Sequence, residues 1–321
     1  MRILLWHVHG SWTTAFVNGR HEYVVPVLED RGPDGRGRAQ TWDWPDSVTE
    51  LPPEELAGTD IDVVLLQRPY ELLDLCERWT GRRPGRDLPA IYVEHNAPQG
   101  RIADMRHPAA DSDLLVCHVT HFNELFWDCG ATPTRVIEHG IVDPGYRYTG
   151  ELERAGVVIN EARRRARVTG TDLLERFTGQ GVPIDLFGMD AAALGGIEDL
   201  PQDRLHTELA RRRCYLHPIR WTSLGLSLIE AMQLGMPVVA LATTEAVEAI
   251  PPQTGVISTR IDVLAEAART FLRDPQAARD AGLAARTYAL ERFGLERFLA
   301  DWDDLLAEVI SHAHRAGIGA R

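Results

Sequence analysis

Short apolar runs alternate along the chain with stretches of helical pattern, and this alternation is what most limits the fold. A first series of β-rich runs falls at residues 2–8, 61–66, 89–95, 113–119 and 134–139. Consecutive strands separated by helices run parallel, because a parallel pair needs a long crossover between its strands. We therefore expect a parallel sheet with helices on both of its faces.

The same pattern starts again after the turn-rich segment at residues 143–151. This second series comprises GVVIN, PIDLFG, CYLHP and MPVVALA, which begin at residues 156, 183, 214 and 236. Residues 260–310 then keep apolar side chains at spacings of three and four, which is typical of amphipathic helices. The restart predicts a second sheet of the same kind rather than one continuous sheet.

Two doubly wound α/β domains are therefore expected. Residues 1–150 are predicted to form an N-terminal domain and residues 151–300 a C-terminal one. Residues 301–321 are predicted to add a C-terminal helix that packs back onto the first domain. Open α/β sheets bind ligands outside the carboxyl ends of their strands. A cleft where two such sheets face each other is the expected place for a functional site.

The basic residues exclude several kinds of chemistry. All 34 are arginine, and the sequence contains no lysine. A Walker-type phosphate loop, a protein-kinase site and a pyridoxal phosphate Schiff base each require a lysine. The formal net charge of −13 also argues against nucleic acid as a partner. Any bound phosphate is expected to meet arginine side chains, hydroxyl groups or backbone amides.

Cysteine spacing and the apolar segments indicate a cytoplasmic protein. The four cysteines lie far apart without a C-x-x-C pair, which predicts neither a disulfide framework nor a structural zinc site. The apolar run at the start of the chain is too short for a signal sequence or a membrane span. We expect no transmembrane segment.

The segment from Trp221 to Ala240 is the most informative part of the sequence. It reads WTSLGLSLIEAMQLGMPVVA, which predicts a loop, a helix ended by Gly235 and a new strand. Ser223 is a candidate N-cap, and Gly225 would let a ligand approach the backbone closely. Unpaired amides at such a helix start attract a diphosphate, aided by the positive end of the helix dipole.

Glu230 lies about one turn inside this predicted helix. Because helical side chains tilt toward the N-terminus, its carboxylate can reach a ligand bound there. An acidic residue at such a place can accept both hydroxyls of a ribose. The alternative is an exposed glutamate that only aids solubility.

The segment resembles the signature of the GT-B retaining glycosyltransferases of family four. That signature consists of a glutamate, seven residues, Glu-Ala-Met and then Gly-x-Pro-Val-Val-Ala. Residues 230–232, Gly235 and residues 237–240 match it in order and spacing. IEHGIVDP at 137–144 and TGTDLLE at 169–175 are also similar to family segments. The resemblance implies two Rossmann-like domains facing across a cleft, and transfer of a sugar from a nucleoside diphosphate donor.

The chain departs from this signature at two charged positions. The first glutamate of the motif falls on Thr222, so a contact to the donor sugar there would come from a hydroxyl group. The family lysine falls on Thr169, which removes a cation from the diphosphate site. An arginine is expected to replace it. Arg164 occupies the position of a family arginine, and three further arginines lie at positions 163, 165 and 167.

His95 is the candidate catalytic residue. It follows the strand PAIYVE, so it is expected at the carboxyl edge of the first sheet. It resembles the family histidine that contacts the donor sugar near the reacting carbon. Gly10 and Ser11 follow the first strand, where the family uses backbone amides. Arg68 and Tyr70 follow the strand IDVVLL and are candidates for contact with the acceptor.

The resemblance and the residues together define the predicted site. The predicted donor-binding residues are Gly10, Ser11, Arg164, Thr169, Gly188, Thr222, Ser223, Leu224, Gly225, Leu226 and Glu230. The predicted reaction retains the configuration of the sugar and uses neither a metal ion nor a cofactor other than the nucleotide sugar. The acceptor is a glycan, a lipid or a small molecule. Alternative functions are a sugar-nucleotide epimerase, a phosphorylase, or a non-catalytic nucleotide-sugar-binding protein.

Overall fold

The computed structural model describes residues 1–101 and 103–319. These residues divide into two compact units. The first unit comprises residues 1–142 together with the residues from 295 onward, and the second comprises residues 143–294. Each unit contains one sheet in which every strand pair is parallel.

The sheet of the first unit has seven strands in the order β3-β2-β1-β4-β5-β6-β7. The chain builds outward from β1 on one side and then continues on the other side of β1 with β4. The strand order therefore reverses between β1 and β4, which is where sheets of this kind bind ligands. The strands are β1 (Arg2–Leu5), β2 (Glu22–Pro26), β3 (Val48–Leu51), β4 (Val63–Leu66), β5 (Ala90–Glu94), β6 (Leu115–His118) and β7 (Thr134–Val136).

Short helices connect the strands of the first unit. They are α1 (Gly10–Phe16), α2 (Pro53–Leu56), α3 (Cys76–Thr80) and α4 (His121–Phe126), with a π-helical turn at Glu71–Leu75 before α3. Helix α4 begins where the Thr120 hydroxyl accepts a hydrogen bond from the Asn123 amide, at 3.1 Å. The sheet is buried through its centre, since every residue of β4 and β5 is buried.

The sheet of the second unit has five strands in the order β12-β11-β10-β8-β9. Its order reverses between β8 and β10, so the loops that follow these two strands form the expected binding edge. The strands are β8 (Leu152–Val158), β9 (Ile184–Phe187), β10 (Arg212–His217), β11 (Val238–Leu241) and β12 (Gly255–Ser258).

Seven α-helices are described in the second unit. They are α5 (Ala162–Arg165), α6 (Leu174–Thr178), α7 (Gln202–Ala210), α8 (Leu226–Leu234), α9 (Ala246–Ala249), α10 (Ile261–Arg273) and α11 (Pro275–Arg292). The Asp274 side chain caps α11 by accepting hydrogen bonds from the amides of Gln276 and Ala277, each at 3.0 Å. Helix α8 ends at Gly235, whose φ of +92° favours glycine.

A last helix, α12 (Leu295–Arg315), belongs to the first unit. Its Trp302 packs edge-on against Trp12 and Phe16 of α1, with ring centroids 5.7 and 5.1 Å apart. Asp303 lies 2.8 Å from Nε2 of His21. The residues from 295 onward thus complete the core beside the first sheet. Among the helices described, none combines the length and the apolar character that crossing a bilayer requires.

Candidate functional site

The start of α8 supplies backbone donors at the binding edge of the second sheet. Gly225 is the N-cap in an extended conformation, and no side chain caps the helix. The prediction that Ser223 caps it is wrong, because the helix begins at Leu226; Ser223 is buried two residues before the actual cap. A nine-residue helix without a capping side chain presents its first amides and the positive end of its dipole to a ligand.

Gly225 is required by a contact within the protein. A Cβ at this position would lie 2.6 Å from Cε1 of His217. Close approach of the His217 ring thus accounts for this glycine, and the predicted approach of a ligand stays a prediction. That ring is buried, and burial lowers the pKa of His217 to about 4. A neutral ring thus supports the loop that leads into α8.

Glu230 is only 6% exposed, so it is not a solvating surface residue. Its Oε2 lies 3.1 Å from Nε2 of Gln202 and 3.4 Å from Nε2 of His206, both on α7. One turn earlier on α8, the Ser227 hydroxyl lies 2.9 Å from the hydroxyl of Tyr215. Side chains of α7 therefore hold the Glu230 carboxyl group one turn from the helix start.

The loop after β8 joins the loop after β10. The amides of Arg220 and Trp221 donate to the carbonyl of Val168, at 2.9 and 3.2 Å. Gly170 has a φ of +72°, and a Cβ there would lie 1.9 Å from the carbonyl oxygen of Pro218. Only glycine fits this approach. The two loops at the binding edge are thus held together by backbone contacts.

Thr169 supports the loop and does not open to a ligand. It is 0% exposed, and its hydroxyl lies 3.3 Å from the carbonyl of Ala166 and 3.1 Å from the hydroxyl of Thr171. The prediction that Thr169 contacts the donor is therefore corrected. Thr222, by contrast, is partly exposed before the start of α8, beside buried Leu224 and partly exposed Leu226.

The arginines between β8 and Thr169 differ in their contacts. Arg164 is 69% exposed and is paired with Glu161, so the sequence prediction selected an arginine that is already neutralised at the surface. The Arg163 side chain donates to the carbonyl of Ala193. Arg165 is half-buried, and burial together with Arg164 lowers the pKa of its guanidinium. Its guanidinium makes no ion pair or hydrogen bond within the part of the chain that the structure describes.

Gly188 is also a packing residue. Its φ is +131°, and a Cβ there would lie 2.3 Å from the carbonyl oxygen of Ile159. The ends of β8 and β9 therefore approach too closely for a side chain. This contact explains the glycine without the ligand contact that the sequence predicted.

His95 lies at the carboxyl edge of the first sheet, immediately after β5. It is 7% exposed, and its Nε2 lies 3.0 Å from Oε1 of Gln67, which follows β4. The Gln67 amide donates to the carbonyl of Trp6 at 2.7 Å, so its oxygen faces the histidine. Burial, with smaller contributions from His9 and His139, lowers the pKa of His95 well below 6.5. His95 is therefore a neutral ring that donates from Nε2.

Two further histidines surround this ring. The His9 ring centroid lies 4.2 Å from that of His95. His139 is buried, both of its ring nitrogens lack a hydrogen-bond partner, and burial lowers its pKa to about 3. Across residues 1–101 and 103–319, no three or more histidine, cysteine or acidic side chains are arranged to hold a metal ion. His95 and His139 are thus buried neutral rings beside His9.

Gly10 and Ser11 form the start of α1, beside His9. Both are partly exposed. A Cβ at Gly10 would make only an ordinary contact, 3.5 Å from Nε1 of Trp42. Packing does not require this glycine. Its predicted contact with the donor stays a prediction.

A cavity of about 330 Å³ opens at the ends of β4 and β5. Its lining includes Gln67, Arg68, Tyr92, Glu94 and Trp127, whereas the exposed Tyr70 does not line it. Of these five, the sequence pointed to Arg68 for acceptor contact and to Glu94 as a weaker candidate beside His95. The available signal was position, since Gln67 and Arg68 directly follow β4 at the point where the strand order reverses.

Comparison with known proteins adds to this geometry. Residues 197–288, from α7 to α11, match the family model described as glycosyl transferases group 1. The match indicates a transferase enzyme. The matched residues contain α8, Glu230 and the Gln202 and His206 side chains that lie against Glu230. The narrower assignment to family four stays a prediction. No curated protein matches the chain in sequence.

Solved structures of similar fold cover nearly the whole chain, including the residues that match the family model. Sucrose-phosphate synthase from Thermosynechococcus elongatus has a TM-score of 0.71 and 15% identity, covering 97% of this chain and 100% of that one. HepE from Anabaena, solved with UDP, has a TM-score of 0.67 and 15% identity over 96% and 100% of the two chains. AviGT4, a glycosyltransferase of avilamycin A biosynthesis, has a TM-score of 0.64 and 16% identity over 98% and 99%. The predicted GT-B fold is confirmed.

Proposed function

We propose that this protein transfers a glycosyl group from a nucleoside diphosphate sugar to an acceptor hydroxyl, with retention at the anomeric carbon. The observation that carries the proposal is the uncapped start of α8 one turn from the buried Glu230. Backbone amides there suit a diphosphate, and a carboxylate at that distance suits the ribose diol. HepE, which shares the fold, was solved with UDP and with UDP-glucose, so uridine donors are the first to test.

Arg165 is the cation that we assign to the diphosphate. The diphosphate gains negative charge as its bond to the sugar breaks, and fixed donors stabilise that charge best. Arg164 is already paired with Glu161, whereas the Arg165 guanidinium is half-buried and has no partner within the described residues. Together with the α8 amides, Arg165 would replace both the family lysine and a metal ion.

His95 acts on the sugar in this proposal. Its neutral ring donates from Nε2 to Gln67, which fixes the orientation of the ring. In the reaction the acceptor oxygen forms a bond to the anomeric carbon while the bond to the diphosphate breaks. The acceptor proton passes to the departing phosphate. The role of His95 is to orient the sugar for this exchange.

The cysteines agree with a reducing compartment. All four are buried and unpaired. Persistent disulfides belong to oxidising compartments. We therefore propose that the protein acts in the cytoplasm.

A melting-temperature panel tests the donor site. UDP, GDP, ADP and TDP are added separately, and the nucleotide of the true donor is expected to raise the melting temperature because it binds only the folded state. Glu175 is an exposed glutamate on α6 and serves as a control position. The Glu175→Gln variant should show the same nucleotide-induced shift in melting temperature as the wild type. If no nucleotide shifts the melting temperature, the proposal is wrong.

Turnover distinguishes the alternative functions. With UDP-glucose and an acceptor mixture, transfer predicts UDP release that depends on acceptor and continues in EDTA, and proton NMR should show a product with the donor's anomeric configuration. Binding without any turnover, hydrolysis included, would identify a nucleotide-sugar-binding protein. A changed sugar still attached to UDP would identify an epimerase.

A further inference from the structure

The cavity at the ends of β4 and β5 is a candidate binding site within the first unit. Its volume of about 330 Å³ falls in the range of small-molecule pockets, ~300–1,000 Å³. It lies beside Gln67, the partner of His95. Three of its residues, Gln67, Arg68 and Pro69, follow β4, where the strand order of the sheet reverses. The cavity therefore lies at the carboxyl edge of the sheet, next to the reversal point between β1 and β4 where such sheets place ligands.

Two donors of the cavity lack hydrogen-bond partners within the residues that the structure describes. Tyr92 is 1% exposed as a whole residue, and its hydroxyl makes no hydrogen bond there. Nη2 of Arg68 is buried without a hydrogen-bond partner. Buried polar groups in native proteins nearly always have partners, because leaving one unpaired costs free energy. A ligand with oxygen atoms would satisfy both groups.

Glu94 provides a fixed acceptor in the same cavity. Its Oε1 accepts from the Asn96 amide at 2.6 Å, and its Oε2 lies 3.1 Å from Nε2 of His107. Nδ1 of His107 accepts from the Ala109 amide, so Nε2 carries the hydrogen that Glu94 accepts. Each carboxyl oxygen keeps a further lone pair. Glu94 can therefore accept hydrogen bonds from ligand hydroxyl groups.

The charges of the cavity select against an anionic ligand. Arg68 is the single cation among its lining residues. Its Nε lies 2.6 Å from Glu71 and its Nη1 lies 2.9 Å from Asp34, so its charge is already neutralised. A phosphate or carboxylate would find no uncompensated cation among the lining residues, and it would face Glu94. The site thus suits a neutral ligand that both donates and accepts hydrogen bonds.

Trp127 adds an apolar wall to the cavity. Its indole N–H donates to the carbonyl of Asn96 at 2.8 Å. The ring also packs against His107, with centroids 5.1 Å apart. With its one donor already used, Trp127 can offer a ligand only its aromatic surface. An aromatic wall with a few fixed polar groups is typical of small-molecule sites.

We propose that this cavity binds a neutral, hydroxyl-rich ring and that this ring is the acceptor of the transfer reaction. As an acceptor site it rests on the proposed function, whereas binding of the ring can be measured alone. The cavity discriminates against phosphorylated sugars by the charge of Glu94. Tyr92, Arg68 and Glu94 hold the hydroxyl groups of the ring, and Trp127 covers its apolar face.

Saturation-transfer NMR tests the cavity without any turnover. The probes are glucose, galactose, mannose, fructose and inositol, each compared with its monophosphate, in the presence of UDP. At least one neutral probe should bind, with at least about tenfold higher affinity than its monophosphate. Tyr92→Phe should weaken that binding about fivefold, the effect of one lost hydrogen bond. Tyr146→Phe, at an exposed tyrosine of the second unit, is the matched control and should change nothing.

Glu94→Gln tests the charge argument, because it keeps the size of the side chain and removes the charge. The variant should reduce the difference in affinity between the neutral probe and its monophosphate. The proposal is overturned if no neutral probe binds, if monophosphates bind as well as neutral probes, or if Tyr92→Phe behaves like Tyr146→Phe. The UDP-induced shift in melting temperature, recorded on the same samples, reports separately on the donor site.

Discussion

Oε1 of Gln67 lies 3.0 Å from Nε2 of His95, and this contact determines which ring nitrogen carries the proton. Because the Gln67 amide already donates to the carbonyl of Trp6, its oxygen can only accept from the histidine. Gln67 is itself held by its backbone amide, which donates to Glu71 at 2.5 Å. Gln67 is thus a positioning residue for His95.

Replacing Gln67 with glutamate should charge His95. A carboxylate opposite Nε2 favours the imidazolium form and raises the pKa of His95 from its depressed value. Two-bond proton–nitrogen NMR should show the neutral Nε2–H form in the wild type and a doubly protonated ring in Gln67→Glu near neutral pH. Gln99→Glu, at an exposed glutamine nearby, should leave His95 neutral. The Nδ1–H form in the wild type would contradict the assignment.

Removing the Glu230 carboxylate should weaken nucleotide binding. Glu230→Ala is expected to cost about 1–3 kcal/mol of binding free energy for UDP, the range for hydrogen bonds to a charged group. Titration calorimetry measures this cost. The contact belongs to the ribose, so affinity for inorganic pyrophosphate should not change. An unchanged affinity for UDP would show that Glu230 does not contact the nucleotide.

The two neighbouring arginines should differ in their effect on turnover. Arg165→Ala should lower kcat about 100-fold, because one lost donor to a developing negative charge costs about 10²–10³. Arg164→Ala should change kcat less than about threefold, since that guanidinium is exposed and paired with Glu161. The comparison uses steady-state release of the nucleoside diphosphate. Equal losses of kcat in the two variants would contradict the assignment of Arg165 to the diphosphate.

Gly188 should tolerate no side chain. Gly188→Ala would place a Cβ 2.3 Å from the carbonyl oxygen of Ile159, at a φ of +131°. The expected loss is about 2–4 kcal/mol of unfolding free energy in urea denaturation. At Gly195 φ is +74° and nothing lies within 4 Å of a built Cβ, so Gly195→Ala should cost about 1 kcal/mol. If the Gly188→Ala protein is as stable as the Gly195→Ala protein, the ends of β8 and β9 can move apart to accommodate a side chain, and the prediction is wrong.

Buried neutral histidines should make the protein less stable as the pH falls. Burial lowers the pKa of His139 from 6.5 to about 3, so between these values the unfolded chain binds the proton and the folded chain does not. Stability therefore decreases as the pH drops below 6.5, by up to about 1.4 kcal/mol per pH unit from this residue. In urea denaturation, the unfolding free energy of His139→Leu should decrease less steeply than that of the wild type between pH 6.5 and 4.5. An identical pH dependence would mean that His139 is protonated in the folded state.

The sequence predicted the sheets better than it predicted the side chains. Two parallel α/β sheets and the GT-B fold are confirmed, because continuous apolar runs mark buried parallel strands. Strands β2, β3 and β12 were not predicted, because each has only four or five residues and includes polar residues or glycine. It placed the start of α8 at Ser223, since serine is a common N-cap, but the loop continues over His217 to Gly225.

Site residues depend on contacts that sequence spacing does not encode. Four arginines near residue 165 look alike in the sequence, yet ion pairing and burial separate Arg164 from Arg165. Glu230 follows from motif spacing, whereas its contacts with α7 come from a segment 28 residues earlier in the chain. Tyr92 reads as an ordinary strand residue. Only its missing hydrogen-bond partner and the neighbouring cavity indicate a binding role.

Helix α12 belongs to the first unit but is synthesised after the whole second unit. Trp302 fills the space against Trp12 and Phe16, and Asp303 pairs with His21. Those partners leave the ribosome nearly three hundred residues before α12 does. During translation the aromatic side chains of α1 therefore stay uncovered until α12 is made. Every residue of the second unit emerges before then. Of these two units, the one whose synthesis begins first is the one whose core is completed last.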